Sequence, residues 1–279
     1  SMNINILKII SLRKQNYCSS KYLYNLIPGE ETVREEPDGT RYEEVLVKSG
    51  DAFEELWNTA VNYAEEARSI IMNTGGRDFG AIREEYIPYG TMLPVIAAVL
   101  WEYDGSVADP EFRTMLKRWY WAAVFSKDYG GSSDTVMGSD FRDWKEWISQ
   151  GKTMEQIAKV DAEFIEELDL KSTDKGSGRY NGVICLLALN GPRDFYRGNI
   201  LGTGDFTDHR INDHHIFPKK VQGIDRENMQ SFDHYRDSIV NRTLILDETN
   251  NKIKRKRPSD YVEEMIKNHG SEDKVKDLL

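Results

Sequence analysis

The sequence predicts a mainly α protein, a helical bundle followed by a small α+β domain. Two observations carry this prediction. From Asp51 to Leu189, apolar residues recur at steps of three and four, the period that lays one stripe along a helix face. Beyond Asp205 the pattern changes: Ser238–Leu246 alternates β-branched and aliphatic residues as a strand does, and His214-His215-Ile216-Phe217-Pro218 reads as an extended segment closed by its proline. The expected boundaries are 1–200 for the helical domain, with 1–50 ambiguous, and 201–279 for the second domain.

Taken in order, Ile4 to Leu12 fits a helix, and Asp38-Gly39 fits the tip of a hairpin. Phe53, Leu56, Trp57, Ala60, Ala64, Ala67 and Ile71 predict a long helix capped by Asp51 and stopped at Gly75-Gly76. Helices are expected from Thr91 to Tyr103, from Asp109-Pro110 onward, and from Ser139 to Gln150. Thr153-Met154-Glu155-Gln156 reads as a capping box opening another helix, with Ile157, Val160, Phe164 and Leu168 inward. Tyr180 to Leu189 forms the last helix of the bundle. Asp247–Ile253 then starts a short helix after the strand, with Asp247 or Thr249 as its cap. Trp119, Trp144 and Trp147 at helical spacing read as core rather than as a base-stacking surface.

Composition narrows the setting. Two cysteines, Cys18 and Cys185, offer neither a disulfide framework nor metal-ligand spacing, and no apolar run approaches a membrane span. A reducing cytoplasm without membrane contact is the expectation. The net charge of −10 speaks against a polyanionic partner. Its distribution reverses that judgement, because Asp205 to Asp260 carries eleven Lys or Arg against ten Asp or Glu and the rest of the chain holds the deficit. Basic residues gather in Lys252-Ile253-Lys254-Arg255-Lys256-Arg257, directly after Asn250.

The His pair points to phosphodiester chemistry. Hydrolysis needs a base that works near neutral pH, which imidazole supplies, and positive charge on the phosphate, which a divalent ion supplies. Adjacent residues of an extended segment point to opposite sides, so His214 and His215 can divide the roles of ligand and base. An Asn carbonyl from the helix after the second strand completes a mixed nitrogen and oxygen site for Mg²⁺ or Mn²⁺, with Ni²⁺ or Zn²⁺ also accommodated.

His215 to Pro218, Asn241 with Ile245, Asn250, and Pro258 to Tyr261 together resemble the ββα-metal (HNH, or His-Me finger) nuclease domain. More narrowly they resemble the C-terminal domain of GmrSD-type modification-dependent restriction endonucleases. Arg118–Ser126, Ser132–Thr135, Asp140–Trp144 and Tyr180–Phe195 are similar to the helical region before that domain, so the likeness spans roughly residues 50 to 265. The resemblance implies a DNA endonuclease of a restriction or phage-defence system. It implies that His215 is the general base, that Asn241 steadies the hairpin around it, and that Asn250 and His214 are metal ligands. Family members commonly begin with a ParB-like nucleotide-hydrolysing domain carrying Asp-Gly-Gln-Gln-Arg. This chain has only Asp38-Gly39-Thr40-Arg41 and no Walker-type loop, so a fragment, a split subunit with a nucleotide-hydrolysing partner, or a degenerate paralogue is expected.

Several alternatives stay open on sequence grounds. Asp213 is a further metal ligand, a carboxylate that orients an imidazole, or a turn residue. Asn251 rivals Asn250, the helix register deciding between them. His209, His214, His215 and His234 are the members of a possible structural zinc cluster. Lys219, Lys252, Lys254, Arg255 and Arg257 are the candidate phosphate contacts, with Lys220 beside them, and each is equally explained as solvated surface. A non-catalytic DNA-binding or partner-docking subunit is the rival function.

Overall fold

Residues 2–35, 38–75, 79–103, 108–126, 128–131, 133–208, 210–221 and 235–278 are described by a computed structural model. The chain is mainly helical with two small antiparallel sheets, and it divides into one unit of Ser1–Ile70 with Tyr89–Asp161 and another of Ile71–Pro88 with Ala162–Leu279. Among the described residues no helix is long and apolar enough to cross a membrane.

The first unit contains α1 (Met2–Gln15), α2 (Ser20–Leu23), the hairpin β1 (Glu31–Glu35) and β2 (Arg41–Val45), α3 (Gly50–Ile71), α4 (Leu93–Tyr103), α5 (Pro110–Ser126), α6 (Ser133–Gln150) and α7 (Glu155–Lys159). Helix α4 is apolar on every side, and Val95 through Leu100 are all buried between α1 and α6. Helix α3 starts two residues earlier than expected: Ser49 Oγ accepts from Ala52 N at 3.2 Å, so Ser49 is the cap and Asp51 sits in the first turn. Pro110 opens α5 as anticipated, with the Asp109 carboxylate accepting from Glu111 N at 2.9 Å. Helix α6 begins at Ser133, six residues before the expected Ser139.

Trp119, Trp144 and Trp147 are buried core, with Trp119 on Trp144 at 6.0 Å and Trp144 on Trp147 at 5.2 Å. Beside them lies a buried carboxylate. Asp140 accepts from Trp119 Nε1 at 2.8 Å, Tyr129 OH at 2.8 Å and Gln156 Nε2 at 3.2 Å. The Trp119 indole and the Tyr129 phenol thereby pair their own buried donors.

The helix expected after Thr153 is instead two short ones, α7 and α8 (Ala162–Glu166). Val160 leaves the helical region between them (φ −98°, ψ 74°), and no side chain caps α7. Ile157, Val160, Phe164 and Leu168 are only half-buried. The division between the two units falls at this break.

The second unit continues with α9 (Gly178–Leu189), α10 (Thr203–Thr207), β3 (Ile211–His215), β4 (Arg242–Leu246), α11 (Asp247–Ile253), α12 (Pro258–His269) and α13 (Glu272–Lys276). It therefore starts at Ala162 and takes in Ile71–Pro88, rather than starting at residue 201. The reason is packing: Tyr180, Ile184 and Ala188 of α9 bury themselves with Ile82, Tyr86, Ile211, Leu244 and Leu246. The segment before Pro88 is fastened to α9 by Asn181 Nδ2, which donates to Glu85 O at 2.9 Å. Gly80 (φ +73°) permits the close pass, since a Cβ there would meet the Cys185 carbonyl at 2.6 Å.

Strands β3 and β4 pair antiparallel, with Asp213 opposite Leu244, His214 opposite Thr243, and His215 opposite Arg242. The hairpin is covered on both sides. Leu244 and Leu246 face the α9 cluster, while Ile245 packs with Phe195, Ile253, Tyr261 and Met265 beneath α11 and α12. Each such side chain contributes about 1.5–3 kcal/mol on burial, and a one-residue slip would invert all of them.

Burial raises the Asp140 carboxyl to about 6, with the three hydrogen bonds opposing it only in part. The folded state thus keeps a proton that the unfolded chain releases near pH 4, so stability falls as pH rises from about 4 to about 6 and is level above that. We expect stability relative to Asp140→Asn to drop by about 3 kcal/mol across that window. Urea unfolding of both proteins over a pH series checks this, and parallel profiles would contradict it.

Candidate functional site

The pleat of β3 decides which side chains meet. Ile211, Asp213 and His215 project to the α9 side, and Asn212 and His214 to the α11 side. The two histidines therefore part company, and each acquires its own partners.

On the α11 side, His214 Nδ1 lies 2.7 Å from Asn250 Oδ1. Asn250, not the exposed Asn251, is the amide that the helix register presents to β3. His214 is only 5% exposed, and its Nε2 has no hydrogen-bond partner among the described residues. Burial brings the His214 imidazole down to about 4, so the ring is neutral at neutral pH and keeps a lone pair.

On the α9 side, His215 Nε2 is 3.0 Å from Asp237 Oδ1, and Nδ1 is 3.4 Å from Arg242 Nη1. A guanidinium can only donate, so this pairing makes Nδ1 the acceptor and Nε2–H the donor to Asp237. Burial holds the His215 pKa below the ordinary value, and Arg242 lowers it further against the opposing hydrogen bond that His215 donates to Asp237. Arg242 is buried, donates to the Asp213 carbonyl at 3.1 Å and to Asp237 Oδ1 at 2.8 Å, and lies over the Tyr180 ring at 5.8 Å.

Asp213 is not brought to the His214–Asn250 pair. Strand alternation sends it to the opposite face, where it accepts from Tyr180 OH at 2.6 Å and pairs with Lys175 at 3.0 Å. Its carboxyl is raised by burial but lowered by a larger sum of hydrogen bonds from Tyr180 and Lys175, with a net downward shift. The expectation of Asp213 as a metal ligand is corrected accordingly.

Asn241 touches backbone only. Its Oδ1 accepts from Phe217 N at 2.7 Å, and its Nδ2 donates to Phe217 O and Arg236 O, both at 3.0 Å. It is a positioning residue that pins the segment leaving His215. Tyr261 does the same from α12, its hydroxyl donating to Ile216 O at 2.8 Å. Both residues hold the backbone next to His215, which explains why an Asn and a Tyr far apart in sequence accompany the His pair.

His214 and His215 line one cleft of about 340 Å³ together with Pro218, Lys219, Lys220, Asn250, Lys254 and Arg255. The basic run reaches it because Lys254 takes a positive φ of 49°, turning the chain back after α11. Lys252 lines the adjoining cleft instead and stands over the Tyr196 ring at 5.5 Å. Arg257 is at the N-cap of α12 and lines neither cleft. Lys219 is engaged by Asp237 at 2.7 Å.

The Asn250 oxygen accepts in this contact and Nδ1 donates, so the pair fits a divalent ion only in the other His214 tautomer, with the proton on Nε2, the remaining ligands coming from water and substrate. The pair does not fit a closed four-ligand zinc site, and no group of three His, Cys, Asp or Glu suited to a metal occurs among the described residues. His209 and His234, the other members of the zinc alternative, lie outside the described residues.

Sequence reasoning missed three residues. Arg242 lies opposite His215 in the ladder, a placement that follows only once the hairpin register is known. Asp237 gave no signal beyond being an acid between His215 and Asn241. Asp194 is fully buried and accepts from Leu246 N at 3.0 Å, Thr249 Oγ1 at 2.7 Å, Tyr196 N at 3.1 Å and Arg197 N at 2.9 Å. It secures the start of α11, for which neither Asp247 nor Thr249 is the cap; Leu246 holds that position without a side-chain bond.

No family model matches the chain. It is 34% identical over 241 residues to a protein of Methanocaldococcus jannaschii described as uncharacterized, a likeness covering 81% of this chain and 38% of that protein. The chain thus spans about two fifths of the length of the curated relative it matches.

Since Asp194 satisfies four donors at once, Asp194→Ala should leave buried N–H and O–H groups unpaired at the junction of β4 and α11. We expect a loss of at least about 3 kcal/mol, with Asp194→Asn losing less because one oxygen still accepts. Denaturant unfolding measures both, and a near-neutral alanine variant would remove Asp194 from this role.

Proposed function

We propose that the unit of Ile71–Pro88 and Ala162–Leu279 is a divalent-metal-dependent endonuclease of the ββα-metal (HNH) kind, hydrolysing phosphodiester bonds in DNA as part of a GmrSD-like restriction or phage-defence system. The observation that carries this reading is the split His pair. His214 with Asn250 on one face of β3 and His215 on the other both open into one cleft lined by Lys219, Lys220, Lys254 and Arg255.

His214 and Asn250 would hold a divalent ion, which would supply positive charge for the phosphate oxygens. His215 keeps Nδ1 unprotonated, and once the long 3.4 Å contact from Arg242 is released this nitrogen takes the proton from water. Lys220, Lys254 and Arg255 bind backbone phosphates, contacts that position the strand without reading its sequence. Asn241 and Tyr261 keep His215 in place by fixing Ile216 and Phe217, so that the base need not be reordered when substrate arrives. Among the described residues, none of those given a role here couples to a nucleotide or recognises a modified base. We assign those tasks to a partner domain or subunit and expect cleavage to be indifferent to GTP and ATP.

Plasmid nicking with Mn²⁺, with and without chelator, tests the reading. His215→Ala should lose roughly 10²–10⁴ in rate with its thermal melting unchanged. Mn²⁺ binding by calorimetry should weaken in His214→Ala and Asn250→Ala and be unchanged in Asp213→Asn. Wild-type nicking by His215→Ala would overturn the base assignment. Duplex binding with no nicking in any divalent metal would make this a non-catalytic DNA-binding subunit instead.

A further inference from the structure

We infer that His215, Lys219 and Arg242 form a subsite for a phosphodiester oxygen, and that the Asp237 carboxylate occupies this subsite as the protein's own competitor for substrate. The inference rests on the nuclease reading and adds to it a built-in restraint on substrate binding.

Three donors converge on a single atom. His215 Nε2 at 3.0 Å, Lys219 Nζ at 2.7 Å and Arg242 Nη2 at 2.8 Å all end on Asp237 Oδ1. That is the coordination an anionic phosphate oxygen takes from an arginine, a lysine and a third N–H. His215 and Lys219 also line the cleft assigned to substrate, so the position occupied by Oδ1 borders the path of the nucleic-acid backbone.

Exposure separates the anchor from what it anchors. The Arg242 side chain is 1% exposed, whereas the Asp237 side chain is 48% exposed. The carboxylate can leave for solvent at small desolvation cost, while the guanidinium cannot follow it. Asp213 stands 3.7 Å from Arg242 but also serves Lys175 and Tyr180. Arg242 therefore requires a second anion, and a phosphate oxygen meets that requirement when Asp237 withdraws. The carboxyl is pushed up by burial and then, more strongly, down to about 2 by Lys219 and His215, so it is charged throughout the working pH range. A carboxylate retained only to orient His215 would aid catalysis, and its removal would weaken function. A competitor predicts the opposite sign for substrate binding.

The test is binding of a fluorescently labelled DNA duplex to the full chain in chelator, read by anisotropy, for wild type, Asp237→Asn and the charge control Glu263→Gln on exposed α12. Asp237→Asn should lower Kd by roughly tenfold, against no more than about twofold for Glu263→Gln, whose screened surface charge acts only at a distance. Binding by Asp237→Asn that matches the control or is weaker than wild type overturns the inference. Thermal melting verifies folding, and Asp237→Ser carries the same comparison if the amide variant unfolds. Neither metal nor turnover enters the measurement, so tighter binding in a protein that never nicks DNA supports the subsite while the nuclease reading fails. Nicking by wild type, combined with unimproved binding by Asp237→Asn, leaves the nuclease reading standing and removes the competitor.

Discussion

The register of β3 against β4 is the constraint on which the rest of the candidate site depends. Because the hairpin is buried on both faces, Leu244 and Leu246 on one side and Ile245 on the other, its pairing has no near-equivalent alternative. That register sends His214 to α11 and His215 to α9. A slip of one residue would turn each to the other face, bringing either His215 opposite Thr243 or His214 opposite Arg242. The hydrophobic core thus does chemical work: it sorts two identical side chains into different electrostatic environments.

Those environments are unequal by construction. His214 meets a neutral amide in a buried setting, and His215 meets a carboxylate and a guanidinium at the cleft edge. Burial favours the neutral ring in both cases. A neutral His214 keeps a lone pair for a cation, and a neutral His215 keeps one for a proton. The same physical term serves both proposed roles, and only the neighbours distinguish them.

Much of this was legible in the sequence because it is local. The three- and four-residue period gave α3 and α5, and the His-x-x-Pro segment with Asn241, Asn250 and Tyr261 marked residues that the structure gathers around one hairpin. What was not legible depends on long-range geometry. Asp213 looked like a ligand because it adjoins His214, yet adjacency along a strand means opposite faces. The stripe Ile157, Val160, Phe164, Leu168 has perfect helical spacing, but no buried surface rewards its continuity and the helix breaks at Val160. Asp194, Asp237 and Arg242 make their bonds across 22 to 55 residues, or only after the register is set, and no spacing rule announces such contacts.

The charge distribution, finally, bears on the conflict between a net charge of −10 and the polyanionic substrate proposed above. Salt screens exposed charges beyond a Debye length of about 8–10 Å, so an acid farther than that from the cleft counts little there. What a phosphate meets there is Lys219, Lys220, Lys254 and Arg255. Asp237 is different from the distant acids because it bonds directly to Lys219, Arg242 and His215, inside the screening distance. One nearby carboxylate then governs the cleft more than the whole acidic surplus does, and net charge alone says little about which polyanion this chain can hold.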